Sequence, residues 1–479
     1  MPFTRTIAAI SLIVLLTFAF MGPRDNTWIS NESLWVAVLL ATVIFLISLM
    51  RSFFLDVVVI FAVTFIVQRI VVLYFFPELF DYALSIKLTT DIFNSALWFI
   101  IACLLAVCLG YILYRFSTPY NRQVKEEPDL DKIRIGGWEI SFSRFFSFYA
   151  VFVILTFILR QVLDMYFNVG VTGIQFDRSF SIFFRLAILV NALYFIMFIP
   201  LIKKNRVPRD RKLAWLLIML QLLEGFMTTS KAVLLILLIN FIVCYVFIKR
   251  RFSRRFVTWG LVILVLSVLV YAPLITVVRS EKITATMTGK SFDISRAIEH
   301  LKSNESSKSP VNLLARFGGL DWLLGLMAVG RDKFPYYISV KGDAAMIINS
   351  FIPGHPIDTS RWLSLRHVIP ILLRGYNPDS ISSWGGHGEL LGIVGMAYVY
   401  FGLWGGALFF LVWTFISLKV ISSKLGVMAK ILYFQCFVTE IILGGYMVTA
   451  FKVFFEGILI FSVIFMLARL TPKFRVKLF

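Results

Sequence analysis

The chain has 479 residues, of which 59% are apolar and 15% charged, with a mean hydropathy of +0.85 and a formal net charge of +20. A charged fraction this far below the roughly 25% of soluble domains excludes an ordinary globular protein. The positive charge does not point to nucleic acid, because no basic stretch is interleaved with stacking aromatics on a soluble domain; basic residues also gather in cytoplasmic loops of membrane proteins.

Apolar runs of roughly 17 to 25 residues cross a bilayer as helices. The sequence places them near 7–22, 33–50, 52–75, 94–114, 145–164, 180–202, 213–229, 231–248, 256–278, 389–417, 430–448 and 452–469, about twelve in all. The expected fold class is therefore an all-α polytopic membrane protein. Arg5 before a short apolar core resembles a signal peptide, but no small-residue cleavage site follows, and removal would leave every later orientation unchanged. Cys103, Cys108, Cys244 and Cys436 all fall inside apolar segments and read as small core residues, not as a disulfide framework or a thiolate site.

Two basic clusters set the orientation. One is Lys203-Lys204-Asn205-Arg206 with Arg209, Arg211 and Lys212; the other is Lys249-Arg250-Arg251 with Arg254 and Arg255. Both belong in the cytoplasm. Counting spans outward from them places Arg51, the 115–144 segment, the N-terminus and the tail with Lys473, Arg475 and Lys477 in the cytoplasm. Within 115–144, Asp129 and Asp131 form a D-x-D pair of the kind that can hold a divalent metal on a nucleotide-sugar. No nucleotide-binding domain surrounds it, so the segment reads as a solvated mixed-charge linker broken by Pro128.

The chain thus divides into nine spans over 1–278, a large external loop over 279–388 and three spans with a cytoplasmic tail over 389–479. The loop holds all four histidines, His300, His355, His367 and His387. Residues 294–301 suggest a short helix capped by Asp293. The 311–330 stretch is apolar, but Arg316, Asp321 and the Gly318-Gly319 break make a span costly in lipid, so a re-entrant or surface-lying helix is expected.

With this topology Arg69, Arg160, Asp164, Arg185, Glu224, Lys231, Arg279, Glu440, Lys452 and Glu456 all fall on the outer half of the membrane. Arg160 with Asp164 and Lys452 with Glu456 have the i,i+4 spacing of local ion pairs. The set as a whole describes a cationic cavity opening outward at headgroup depth, suited to an anionic lipid headgroup, and a diphosphate fits arginine forks especially well. The loop adds Arg279, Arg316, Arg331, Arg361, Arg366 and Arg374 as phosphate or sugar-acid binders, and His355, His367, His387, Asp379 and Glu389 as proton acceptors. No histidine has zinc-ligand spacing, so no metal is expected. The Gly385-Gly386-His387-Gly388 cluster lets backbone approach a cavity just before Glu389.

These features resemble the bacterial oligosaccharide repeat-unit polymerases, the O-antigen and enterobacterial-common-antigen type. The resemblance rests on Ser230-Lys231-Ala232, on Ala315-Arg316-Phe317 with Asp321-Trp322-Leu323, and on Phe351-Ile352-Pro353 with Pro356. It continues through Gly388-Glu389 into Gly395, Tyr398, Phe401-Gly402 and Gly405-Gly406. The R-x10-G pattern of some members is one residue short here, between Arg279 and Gly289. The resemblance implies a GT-C-like membrane fold with one large periplasmic loop, in the bacterial inner membrane. It implies a metal-independent, cofactor-free inverting transferase that moves a growing glycan from undecaprenyl diphosphate onto the next lipid-linked repeat unit. Undecaprenyl-diphosphate-linked oligosaccharides, membrane lipids and a chain-length regulator protein are the expected partners. Glu389 and His387 are the candidate bases; Arg69, Arg160, Arg185, Lys231, Arg279, Arg316, Asp321, Arg361 and Arg366 are the candidate substrate ligands. Glu389 is preferred, because a helix end holds a side chain better than a glycine-rich loop. An O-antigen ligase acting on a lipid A core and a lipid-linked oligosaccharide flippase are the alternatives. A flippase would carry charges along a path across the bilayer, together with internal repeats.

Overall fold

A computed structural model describes residues 2–23, 29–50, 52–76, 88–118, 130–135, 138–162, 190–203, 207–227, 232–249, 319–331, 340–351, 392–423, 425–444 and 447–471, with isolated positions at 262, 270–271, 274–275, 278, 281 and 357. In chain order come α1 (Pro2–Met21), α2 (Asn31–Leu49), α3 (Phe53–Phe75) and α4 (Thr90–Ser117). A hairpin of β1 (Lys132–Ile135) and β2 (Trp138–Ser141) leads into α5 (Phe142–Val162). A 3₁₀ stretch Val190–Phe198 continues as Ile199–Ile202, followed by α6 (Pro208–Met227) and α7 (Ala232–Lys249). Beyond these lie α8 (Gly319–Val329), α9 (Val340–Phe351), α10 (Gly392–Ser422), α11 (Val427–Tyr433) running on through a π segment Phe434–Glu440, and α12 (Met447–Leu470).

Among the described residues seven helices are long and apolar enough to cross a membrane: α1 to α5, α10 and α12. The chain is an all-α membrane protein, its backbone polar groups satisfied inside helices as lipid demands. The helices start where local chemistry allows. Ser30 caps α2 in a reciprocal box, accepting from Ser33 N at 3.1 Å while its own N donates to Ser33 Oγ at 3.2 Å. Thr89 Oγ1 accepts from Ile92 N at the start of α4. Of the remaining expected spans, most of 256–278 and the first half of 180–202 lie outside the described residues.

Two compact units make up the chain. The first comprises 1–123, 314–423 and 437–451. Its helix ends are tied in pairs. Thr4 Oγ1 donates to Asp56 Oδ1 at 2.6 Å, and Arg5 donates to the carbonyls of Ser48 and Leu49, joining the start of α1 to the end of α2 and the start of α3. Tyr74 OH donates to Gly22 O at 2.8 Å and stacks on Phe18, joining the far ends of α1 and α3. Lys419 Nζ donates to Ser117 O and Thr118 Oγ1, both at 3.0 Å, joining the ends of α10 and α4. These last two helices lie close enough that a Cβ on Gly110 would stand 2.7 Å from Leu411 O, a small-residue contact of the kind that lets helices approach in lipid.

The expectation of one straight span over 389–417 is corrected. Gly402 has φ 70° and ψ −165°, outside any helix, and the chain turns back there. A Cβ on Gly406 would lie 3.4 Å from Ala397 O, and Ile393 and Val394 share one apolar cleft with Phe410 and Trp413. In a straight helix Ile393 and Phe410 would stand about 25 Å apart. Residues 392–401 therefore form a short helix laid alongside 403–422. Eight of those ten residues, Gly392 to Val399, are buried.

The second unit comprises 124–313, 424–436 and 452–479. Its hairpin pairs Lys132 with Ser141, Ile133 with Ile140, Arg134 with Glu139 and Ile135 with Trp138. Leu130, Ile133 and Ile140 are buried, so 130–135 and 138–141 form a folded element where a solvated linker was expected; 119–129, with Pro128, lies outside the described residues. Phe142 N donates to Asp131 O at 2.8 Å, Ser143 Oγ donates to Asp210 Oδ1 at 3.0 Å, and Arg144 Nη2 donates to Arg469 O at 3.1 Å. The starts of α5 and α6 and the end of α12 therefore share one end of this unit. Phe145, Phe146 and Tyr149 are fully buried in its core, with Phe145 against Phe461 at 4.8 Å between ring centres. Cys244 and Cys436 are buried here and Cys103 in the first unit, as small core residues.

Candidate functional site

The first unit contains two short described helical stretches, α8 and 392–401, and arginines hold both in place. At one end of α8 the geometry begins in α3, whose middle Val63–Val67 winds as a π turn. Such turns insert a residue into an α-helix and recur at functional positions. Directly after it come Gln68 and Arg69. Arg69 grips Asp321 with both edges of its fork: Nε donates to Oδ1 at 2.7 Å and Nη2 donates to Oδ2. Both residues are 1% exposed. A bidentate arginine–carboxylate pair is the charge pairing best able to survive burial. Asp321 sits in the first turn of α8, where the positive end of the helix also favours it.

Eleven residues make α8 about 16 Å long, half the thickness of a bilayer core. Leu320, Leu323, Leu324 and Leu326 are fully buried, and the helix packs against α3, α4 and α10. Burial over 319–329 does not fit the surface-lying expectation for 311–330; residues 311–318 lie outside the described residues. The helix ends on Gly330, with φ +88° and its N–H on Leu326 O at 3.2 Å.

Arg331 then reaches the reversal in α10. Its Nη2 donates to Tyr400 O at 3.2 Å and its Nε to Val399 O at 3.5 Å. Those carbonyls end the 392–401 helix, where a cation meets the negative end of the helix dipole. Gly402 gives the guanidinium room, since a Cβ there would stand 2.7 Å from Arg331 Nη1. One short segment, 319–331, is thus fastened by Asp321 to α3 and by Arg331 to the tip of α10.

Other buried polar groups belong to the same unit. Gln68 Oε1, beside Arg69, and Asn94 Oδ1, one turn into α4, are buried with no donor among the described residues. Asn349, 5% exposed at the end of α9, holds the stretch after the Phe351-Ile352-Pro353 motif: Nδ2 donates to Ile357 O at 2.6 Å and Oδ1 accepts from Ile357 N at 3.0 Å.

Of the residues singled out from sequence, the structure brings Arg69 and Asp321 together. Arg160 lies on α5, in the second unit, with its side chain outside the described residues, as do Arg185, Lys231, Arg279, Arg316, Arg361, Arg366, His387 and Glu389 entirely. Lys452 and Glu456 form the local pair that their spacing suggested, at 3.9 Å. Sequence reasoning placed Arg331 among the loop cations and Gly402 in a motif without linking them; the signal was a Gly-Arg pair closing one apolar run and a glycine interrupting another. No family model, curated protein or solved structure matches the chain.

Proposed function

We propose that the chain is a glycosyltransferase of the bacterial inner membrane that polymerises lipid-linked oligosaccharide repeat units. It transfers a growing glycan from undecaprenyl diphosphate to the next lipid-linked unit, with inversion. About twelve spans in a GT-C-like arrangement, cytoplasmic termini and a periplasmic 279–388 loop belong to the proposal. The observation that carries it is the pair of short buried helices, α8 and 392–401. Backbone that enters a membrane protein without crossing is stable only where it is buried in protein or lines a cavity, and such segments build binding sites. Both contain motif residues of the resemblance: Asp321-Trp322-Leu323 in α8, and Gly395, Tyr398 and Phe401 before Gly402. The helix-end ties support the alternation of sides, because each joins ends that the charge-based topology puts on one side.

In this reading the acceptor hydroxyl attacks the anomeric carbon as Glu389, three residues before Gly392 in sequence, takes its proton. The bond to the diphosphate oxygen breaks, and undecaprenyl diphosphate departs with its charge met by loop arginines. Arg69 and Asp321, paired with each other, act here as positioning residues that fix α8. The test is the glycan profile of a deletion strain complemented with the chain. Single repeat units on lipid A without the gene, and long chains on its return, are expected. An unmodified core would instead assign a ligase, and repeat units retained inside a flippase.

A further inference from the structure

The register of the β1–β2 hairpin makes it amphipathic. Side chains alternate faces along a strand, and directly paired residues share a face. The pairs Ile133–Ile140 and Ile135–Trp138 therefore lie on one face, and Lys132–Ser141 and Arg134–Glu139 on the other. Charge pairing marks the second face as polar: Glu139 Oε2 accepts from Arg134 Nε at 2.7 Å, and Lys132 pairs with the same carboxylate.

Protein covers only half of the apolar face. Ile133 and Ile140 are buried, whereas Ile135 and Trp138, the pair next to the turn, are 39% and 44% exposed. A hairpin standing in water would carry its polar residues at the tip. Here the tip carries an indole and a branched aliphatic chain side by side, on the face that continues the packed one.

Three observations indicate what lies beyond that tip. β2 runs without a break into α5, one of the seven helices long and apolar enough to cross a membrane, so the hairpin stands at the end of a span. Arg469, in the last turn of the spanning helix α12, lays its guanidinium 3.6 Å from the centre of the Trp138 ring. An arginine at the end of a span extends its charge toward the headgroups, and the face of an indole attracts it. Finally, Met466, Leu467 and Leu470 on α12 are exposed, so apolar surface open to lipid reaches the last residue of that helix, next to the arginine that covers Trp138.

We propose that the hairpin tip is a membrane anchor. Ile135 and Trp138 enter the headgroup–acyl boundary of the bilayer that α5 and α12 cross, while Lys132, Arg134 and Glu139 face water. Tryptophan suits this depth because its ring is apolar and its N–H is polar. With Arg144 Nη2 on Arg469 O at 3.1 Å, the anchor sets the depth of the start of α5 and the end of α12 together. The surface shares no residue with α8 or 392–402 and does not depend on the proposed transferase reaction.

Spin-label depth measurement on the full chain, in nanodiscs of phosphatidylcholine and phosphatidylglycerol, tests the anchor. In a chain freed of its four cysteines, labels enter at Ile135→Cys and, on the polar face, at Arg134→Cys. The Ile135 label should be relaxed by oxygen in preference to a water-soluble nickel chelate, at a depth of about 5–10 Å inside the boundary. The Arg134 label should show the reverse preference. Adding Trp138→Ser should move the Ile135 label toward the Arg134 value. Nickel access at Ile135 equal to that at Arg134 puts the tip in water and overturns the anchor. Exclusion of both relaxants from Ile135 also overturns it, because the tip is then covered by protein such as a second copy of the chain. Wild type gives a separate reading where a labelled variant fails to fold. A phosphatidylcholine with a diazirine in its upper acyl chain should crosslink to the 132–141 peptide and to the end of α12; crosslinks at α12 alone overturn the anchor.

Discussion

A guanidinium or a carboxylate alone in a membrane interior loses its hydration with nothing in return. Arg69 and Asp321 offset this by pairing, so removing one charge is worse than removing both. Asp321→Asn should destabilise the protein by about 3–5 kcal/mol, whereas Arg69→Met with Asp321→Leu should recover most of that loss. Thermal unfolding of the purified variants measures both; equal destabilisation by single and double variants would show that the charges are not coupled. In the proposed reaction Glu389 belongs to the chemistry and not to the frame. Glu389→Gln should lower chain growth by about 10²-fold or more and leave lipid-linked substrate binding nearly intact, as removal of a general base does. Normal polymerisation by that variant, with loss in His387→Ala, would move the role to the histidine. Each charge in the Arg69–Asp321 pair was legible as costly in lipid; the pairing was not, because 252 residues separate them and a single sequence carries no distance.

At the scale of elements, hydropathy located α1 to α5 and α12 because spanning is a sum over neighbouring residues. The same property hid the reversal in α10, since two apolar helices joined by one glycine read as a single apolar run. Gly402→Ala should destabilise by about 1–3 kcal/mol, because its backbone conformation is open essentially to glycine alone and its Cβ would meet Arg331. Adding Arg331→Ala should relieve the contact but not the backbone strain, so only part of the loss returns in a double-mutant cycle. The hairpin was legible in principle from Gly136-Gly137 between two short alternating runs, a two-residue turn signal; the charges flanking it favoured the linker reading. Its exposed Glu139 is held below the usual carboxylate range by hydrogen bonds from Lys132 and then Arg134. A lowered folded value gives a contribution that is present above the unfolded pKa and lost as pH falls through the folded one. Amide exchange across 132–141, corrected for its intrinsic pH dependence, should accelerate on acidification in wild type and show no such step in Glu139→Gln.

For the molecule as a whole, the proposed orientation rests on the basic clusters at 203–212 and 249–255, and it has a direct readout. In a chain freed of its four cysteines, Ser306→Cys should react with an impermeant thiol reagent on intact spheroplasts and Asn205→Cys should not. Reaction at the second alone would invert the topology and with it the outward cationic cavity. The helix-end ties narrow the alternatives, because α1, α2 and α3 must share one side at Arg5, Leu49 and Asp56, and α4 and α10 must share one at Ser117 and Lys419.

The Arg69–Asp321 contact also has a history within each molecule. Asp321 is translated 252 positions after Arg69, and at roughly 5–20 residues per second the arginine waits on the order of ten to fifty seconds for its carboxylate. During that interval α3 holds a cation still lacking this carboxylate about 9 Å from its Phe75 end, near enough for the side chain to snorkel toward the interface. Closure of the nascent bundle around α3 should therefore be favoured once α8 emerges. Late arrival of that short helix makes its docking a checkpoint for assembly, and Asp321 variants should be recognised by membrane quality-control proteases in the cell before any defect in sugar transfer is felt.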